Sequence, residues 1–185
     1  SITDMSNLSN LVSNSGVVAS NTSGVGTARG DIAAAGYGGD KALFAYGDNA
    51  GVKGMTNLVS NLGVVASDTA AVSGAVARSA CGGAGYGVGL AIFAYGTTGS
   101  FTNVSNKVNY EGVVQSSSTG VGTARTSIAA ASYGGDKAIF GYGLKSGGYV
   151  NTRNLVSNTG VVAADATGAG TVRYDLTAAG YSITA

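Results

Sequence analysis

Gly24-Val25-Gly26-Thr27-Ala28-Arg29, then Asp31-Ile32-Ala33-Ala34-Ala35-Gly36-Tyr37, then Lys41-Ala42-Leu43-Phe44-Ala45-Tyr46-Gly47, is the stretch that decides the fold. It holds two short apolar runs of about 5–7 residues, the usual length of strands. Gly38-Gly39-Asp40 separates them, and such residues favour turns. In the second run Ala42, Phe44 and Tyr46 point one way and Leu43 and Ala45 the other. Both faces are apolar, so the sheet must lie between neighbours; a one-sided sheet would alternate apolar with polar residues. The alanines of residues 31–35 are good helix formers. Their run is nonetheless short, flanked by glycine and without a 3.6-residue apolar stripe, so strand is the better reading.

Two more runs follow outward, Thr56-Asn57-Leu58-Val59-Ser60 and Gly63-Val64-Val65-Ala66-Ser67. The whole set then recurs. Gly-Val-Val begins at Gly16, Gly63, Gly112 and Gly160, at spacings of 47, 49 and 48 residues. An arginine follows in each copy (Arg29, Arg78, Arg125, Arg173), and then a tyrosine (Tyr37, Tyr86, Tyr133, Tyr181). Phe-x-Tyr-Gly occurs only three times, at Phe44, Phe93 and Phe140. Periods of this length mark arrays, because one short unit cannot bury its apolar face alone.

We name the four runs a (after the arginine), b (Phe-x-Tyr-Gly), c (Asn-Leu-Val-Ser) and d (Gly-Val-Val). The chain opens with c and d, continues through three full sets at about residues 24–70, 71–118 and 119–166, and closes with a. The expected architecture is an all-β β-propeller, one domain over residues 1–185, of four blades with four short strands each. Residues 1–23 and 172–185 together complete one blade. Leu11, Val12, Val17 and Val18 would meet Tyr181 and Ile183 there, with Ser182-Ile183-Thr184-Ala185 supplying a short b. Propellers protect their strand edges by such closure. The inner runs are small enough for a tight ring: Ala33-Ala34-Ala35-Gly36, Cys81-Gly82-Gly83-Ala84-Gly85, Ala129-Ala130-Ala131-Ser132 and Thr177-Ala178-Ala179-Gly180. Pairing of incomplete ends between chains is the alternative closure.

The order of runs resembles the kelch repeat of β-propellers: an arginine, a small-residue strand, a hydrophobic strand ending in a Gly-rich turn, and two outer strands. Thr27-Ala28-Arg29, residues 33–37, residues 42–47 and residues 58–67 follow that order. Tyr-Gly stands where kelch repeats carry a double glycine, and the chain has no tryptophan. The resemblance implies a kelch-like propeller with its arginines gathered at one end of the ring. The run Gly135-Asp136-Lys137-Ala138-Ile139-Phe140-Gly141-Tyr142-Gly143 is similar to repeats encoded in bacteriophage and other viral genomes, among fibre, head-decoration and tail proteins. That resemblance implies a virion or extracellular location.

Composition narrows the chemistry. Of 185 residues, 44% are apolar and only 10% charged, with a formal net charge of +1. Ordinary globular domains carry roughly 25% charged residues, so Ser, Thr, Asn and Gly must cover this surface. A surface that repels its neighbours so weakly suits an assembly. No basic stripe offers itself to nucleic acid. No apolar run approaches the roughly 18 residues of a membrane span, and no signal-peptide pattern opens the chain. Neither nucleic-acid binding nor membrane insertion is expected.

The single cysteine, Cys81, permits no internal disulfide and reads as a small buried residue. The absence of histidine removes histidine-based triads and, with one cysteine, any zinc constellation. Glycine-rich runs such as Gly24-Val25-Gly26 lack the Gly-Lys-Ser/Thr ending of a phosphate loop. The acidic residues are scattered. Asp40 and Asp136 recur in one turn, and Asp68 and Asp165 just after d, where two other copies have Asn21 and Ser117. Such recurrence points to turn and cap roles. No catalytic residue, metal or cofactor is expected.

Two readings stand for the repeated side chains. Arg29, Arg78, Arg125 and Arg173 either bond turn carbonyls and the neighbouring blade or form an anion or sugar site at the ring mouth. Tyr37, Tyr86, Tyr133 and Tyr181 either pack between blades, as Tyr46, Tyr95 and Tyr142 would, or stack on sugars. The corresponding functions are a non-enzymatic virion structural protein that contacts other virion proteins or copies of itself, and a glycan-binding propeller for host attachment with one weak site per blade.

Overall fold

The computed structural model describes residues 5–180; Tyr181 and Ile183 lie outside them. The described residues form strands and no helix. Three antiparallel three-stranded sheets follow one another along the chain. The first joins β1 (Ala33–Tyr37), β2 (Lys41–Ala45) and β3 (Thr56–Val59); the second joins β4 (Gly82–Tyr86), β5 (Leu90–Ala94) and β6 (Ser105–Val108). In the third unit β7 (Ala129–Tyr133) and β8 (Lys137–Gly141) are followed by a small hairpin, β9 (Leu144–Lys145) with β10 (Gly148–Tyr149), and then by β11 (Arg153–Val156). β8 lies between β7 and β11 in that sheet. Apart from the β9–β10 hairpin, the strands are the a, b and c runs of the sequence. In the first sheet Ala35 pairs with Leu43, and Leu43 in turn with Leu58.

Strand a begins two residues later than the sequence suggests. Asp31, Ala80 and Ser127 hold left-handed backbone, with φ of 51°, 49° and 52°, which breaks the extended run. Tyr46, Tyr95 and Tyr142 end strand b in the same way, with φ of 65°, 64° and 63°. A non-glycine residue adopts this conformation at a cost of about 1–2 kcal/mol, so its surroundings must hold it there.

Run d forms no regular strand. Val59 bridges Val65 and Thr56 bridges Thr69, so three steps along c match four along d. The extra residue makes a bulge. The c-strand asparagine fills the broken ladder: Asn57 Nδ2 donates to the Ala66 carbonyl at 3.1 Å, and Asn106 and Asn154 do the same to Gln115 and Ala163 at 2.8 and 3.0 Å. The N-terminal c and d runs repeat the pattern through Val12–Val18 and Ser9–Thr22 bridges, with Asn10 Nδ2 on the Ala19 carbonyl at 2.9 Å.

The sheets pack through their inner strands, β1 beside β4 and β4 beside β7. Side chains there must be small. A Cβ on Gly83 would lie 2.7 Å from the Ala34 carbonyl oxygen. One buried cluster, including Leu43, Tyr46, Ala91, Phe93 and Val108, joins the first sheet to the second. Another, including Ile92, Tyr95, Ile128, Phe140 and Val156, joins the second to the third. Residues 173–180 continue past β7 without a ladder, with Gly180 against the Ser132 carbonyl. Among the described residues no hydrogen bond joins residues 5–23 to residues 170–180.

Candidate interaction site

Two of the four repeated arginines make the same set of buried contacts. In the first unit Arg29 Nε donates to the Tyr46 carbonyl at 2.6 Å, Nη2 to Asn57 Oδ1 at 2.6 Å and Nη1 to the Thr27 carbonyl at 3.1 Å, with Asp68 at 3.6 Å. In the third unit Arg125 makes the same set with Tyr142, Asn154 and Thr123 at 2.9, 2.7 and 3.1 Å, with Asp165 at 3.9 Å. Each aspartate also accepts from the backbone N–H and hydroxyl of its threonine, Thr27 or Thr123, and from the asparagine amide. Burial alone would raise these carboxyls. The hydrogen bonds and the arginine charge outweigh it and hold both Asp68 and Asp165 below their usual range.

The second unit departs from this arrangement. Val76 stands at the threonine position and Ser117 at the aspartate position. Arg78 is fully buried, yet only its Nη2 finds an acceptor, the Phe93 carbonyl at 3.1 Å. Arg78 Nε, Arg78 Nη1 and the Tyr46 hydroxyl are the buried side-chain polar atoms without a partner among the described residues. Cys81 is buried nearby, and burial pushes its thiol up against the opposing charge of Arg78, which makes it a poor nucleophile.

Each unit grips the one before it through an aromatic seam. Phe93 meets the edge of Tyr46 with centroids 5.5 Å apart, and Phe140 meets Tyr95 at the same distance. Arg78 lies 4.3 Å over the Tyr46 ring, Arg125 4.1 Å over Tyr95 and Arg173 4.8 Å over Tyr142. Such cation–π contacts strengthen on desolvation. Burial pushes the Tyr46 and Tyr95 hydroxyls up to about 12, so both stay neutral. The left-handed residues supply a second tie. Ala80 N–H donates to the Asp31 carbonyl, Ser127 N–H to Ala80 and Asp175 N–H to Ser127, at 3.0, 2.9 and 3.2 Å. A third tie presses the d glycine on the tyrosine of strand a: a Cβ on Gly112 would lie 2.7 Å from the Tyr37 ring, and one on Gly160 2.6 Å from Tyr86.

Arg29, Arg78 and Arg125 are buried, Arg78 and Arg125 against a tyrosine ring of the preceding unit, while Arg29 lines a groove at the N-terminal end. Tyr37 and Tyr86 are buried against the glycines of run d in the following unit. Tyr133 is half-buried and Arg173 exposed, because no fourth sheet follows them among the described residues. Leu11, Val12, Val17 and Val18 are exposed, and Leu11 packs towards Gly63 of the first unit. The closure contact expected between these four and Tyr181 and Ile183 falls partly outside the described residues. The asparagines Asn10, Asn57, Asn106 and Asn154 carry the bulge, Asn57 and Asn154 also hold an arginine, and their recurrence before Leu-Val or Lys-Val was the signal that reveals them.

At the N-terminal end the seam is half-built. Ile32 is 44% exposed, whereas its counterparts Cys81 and Ile128 are each 7% exposed. Phe44 is half-buried, whereas Phe93 and Phe140 are fully buried. A groove of about 230 Å³ opens there between residues 6–10 and the first sheet, with Arg29, Ile32 and Phe44 on its wall. A second groove, of about 190 Å³, lies at the a–b turns and is lined by Tyr37, Lys41, Tyr86 and Ser132. Among the described residues no three His, Cys, Asp or Glu side chains gather as metal ligands.

No protein family matches the chain, and no curated protein matches it. Among solved structures the chain is similar to "Structure of YjhT", at 13% identity and a TM-score of 0.61. The match covers 82% of this chain and 48% of the other, so the chain spans about half the length of that neighbour. At this identity the likeness concerns the fold.

Proposed function

We propose that the chain is a non-enzymatic structural and interaction protein, a propeller-like array of kelch-type blades carried on a bacteriophage particle surface. The observation that carries this reading is the use of the repeated side chains. The buried arginines, their asparagines and aspartates, and the seam tyrosines are engaged in packing within and between units, which leaves the ends of the array as its distinctive surfaces. The low charge and the resemblance of residues 135–143 to viral repeats support the placement on a virion. Its partners are then other virion proteins or further copies of the same unit. Co-sedimentation of the purified chain with native particles tests this: the chain should pellet with them and compete with its particle-borne form. A chain that stays in the supernatant and binds no particle protein overturns the reading.

A glycan-binding module is the second reading, and the groove at the a–b turns favours it, since Tyr37, Lys41 and Ser132 line it. Calorimetry against a glycan panel decides it: saturable heat lost in Lys41→Ala supports it, and no heat with any glycan removes it.

A further inference from the structure

We propose that the groove beside the first sheet is a binding site for an extended peptide strand of the Phe-x-Tyr-Gly type, supplied by another repeat-bearing polypeptide segment. The two complete seams define what such a strand must do. Tyr95 N–H donates to the Val104 carbonyl at 3.0 Å, its hydroxyl to Val121 at 3.2 Å, and the next N–H, of Gly96, to Arg125 at 2.8 Å. The counterparts of these three acceptors are the carbonyls of Leu8, Val25 and Arg29, and all three residues line the groove. None of the three carbonyls accepts a hydrogen bond among the described residues. The ring of a docked tyrosine would lie under Arg29 and against Phe44, as Tyr95 lies under Arg125 and against Phe140.

The strand must come from elsewhere. The three Phe-x-Tyr-Gly segments of this chain are already the b strands of its own sheets, and neither residues 1–4 nor residues 181–185 contain the motif. The N-terminal c run, which among the described residues bridges only its d partner, offers the backbone edge that β3 offers β2. Strand addition of this kind takes affinity from main-chain hydrogen bonds and specificity from alternate side chains. The proposal rests on the reading of the chain as an interaction protein and names the chemistry of its partner.

The test uses the full chain and a fluorescein-labelled synthetic peptide with the sequence of residues 137–143, Lys-Ala-Ile-Phe-Gly-Tyr-Gly. Anisotropy should rise saturably. Replacing the peptide tyrosine by alanine should weaken binding at least tenfold, and so should Ile32→Asp in the chain, at a position 44% exposed on the groove wall. No saturable binding, or binding indifferent to both changes, overturns the proposal. Self-association that the peptide does not displace would assign the groove to a second copy and overturn it as well. A chain that pellets with particles yet ignores the peptide would sink this site and leave the structural reading standing.

Discussion

Arg78 is the residue at which the repeat is least well satisfied. Its counterparts Arg29 and Arg125 face a carboxylate, whereas Arg78 has Ser117 at that position and two guanidinium nitrogens without acceptors among the described residues. An unsatisfied buried polar group costs about 1–3 kcal/mol, more when charged. Val76→Thr with Ser117→Asp should rebuild the clamp and raise stability by about 1–3 kcal/mol in denaturant unfolding. A loss of stability would show that Arg78 is satisfied by other means. Asp68 and Asp165 set the acid limit. Their folded carboxyls titrate below the ordinary value of 3.8. Their contribution is therefore complete above that value and is lost as pH falls through the lower folded one. Asp68→Asn with Asp165→Asn should lower stability at pH 7 and flatten its decline below about pH 4. An unchanged acid profile would contradict the network.

Elements were legible in the sequence to the extent that they rest on local pattern. Strands a, b and c and their Gly-rich turns appear where alternation and turn residues place them. Their ends were not legible, because left-handed backbone at Asp31 or Tyr46 answers to contacts made by a neighbouring unit. Run d reads as a strand from its valines, yet its extra residue forms a bulge, and the asparagine that holds it sits nine residues away in c. The side-chain partners of the arginines were not legible for the same reason. The partner of Arg29 is Asn57, 28 residues along the chain, and no spacing rule marks that distance. Asn154→Ala removes both the bulge bond and the Arg125 acceptor and should destabilise by about 2–4 kcal/mol. Asn21→Ala, at the exposed N-terminal hairpin, should change stability by less than about 0.5 kcal/mol. Equal effects would refute the assignment of the clamp to asparagine.

Across the whole molecule one contact is used twice, first sheet to second and second to third, and its two halves are left exposed at the ends. Tyr95→Ala should cut through the second seam and cost about 3–5 kcal/mol, as other large-to-small aromatic changes do. The missing fourth Phe-x-Tyr-Gly was visible in the sequence. The sequence did not show the groove beside the first sheet, whose Leu8, Val25 and Arg29 carbonyls accept no hydrogen bond among the described residues. Among the described residues the first sheet has no upstream sheet packed against it. Residue-resolved amide exchange tests this most directly, because one backbone position recurs in every unit. Ala80 and Ser127 N–H groups donate to the unit before them, whereas no bond joins Asp31 N–H to Asp175. Ala80 and Ser127 should exchange at the slow rate of global unfolding and Asp31 orders of magnitude faster. An Asp31 amide as protected as the other two would mean that the ring closes, and would contradict the account.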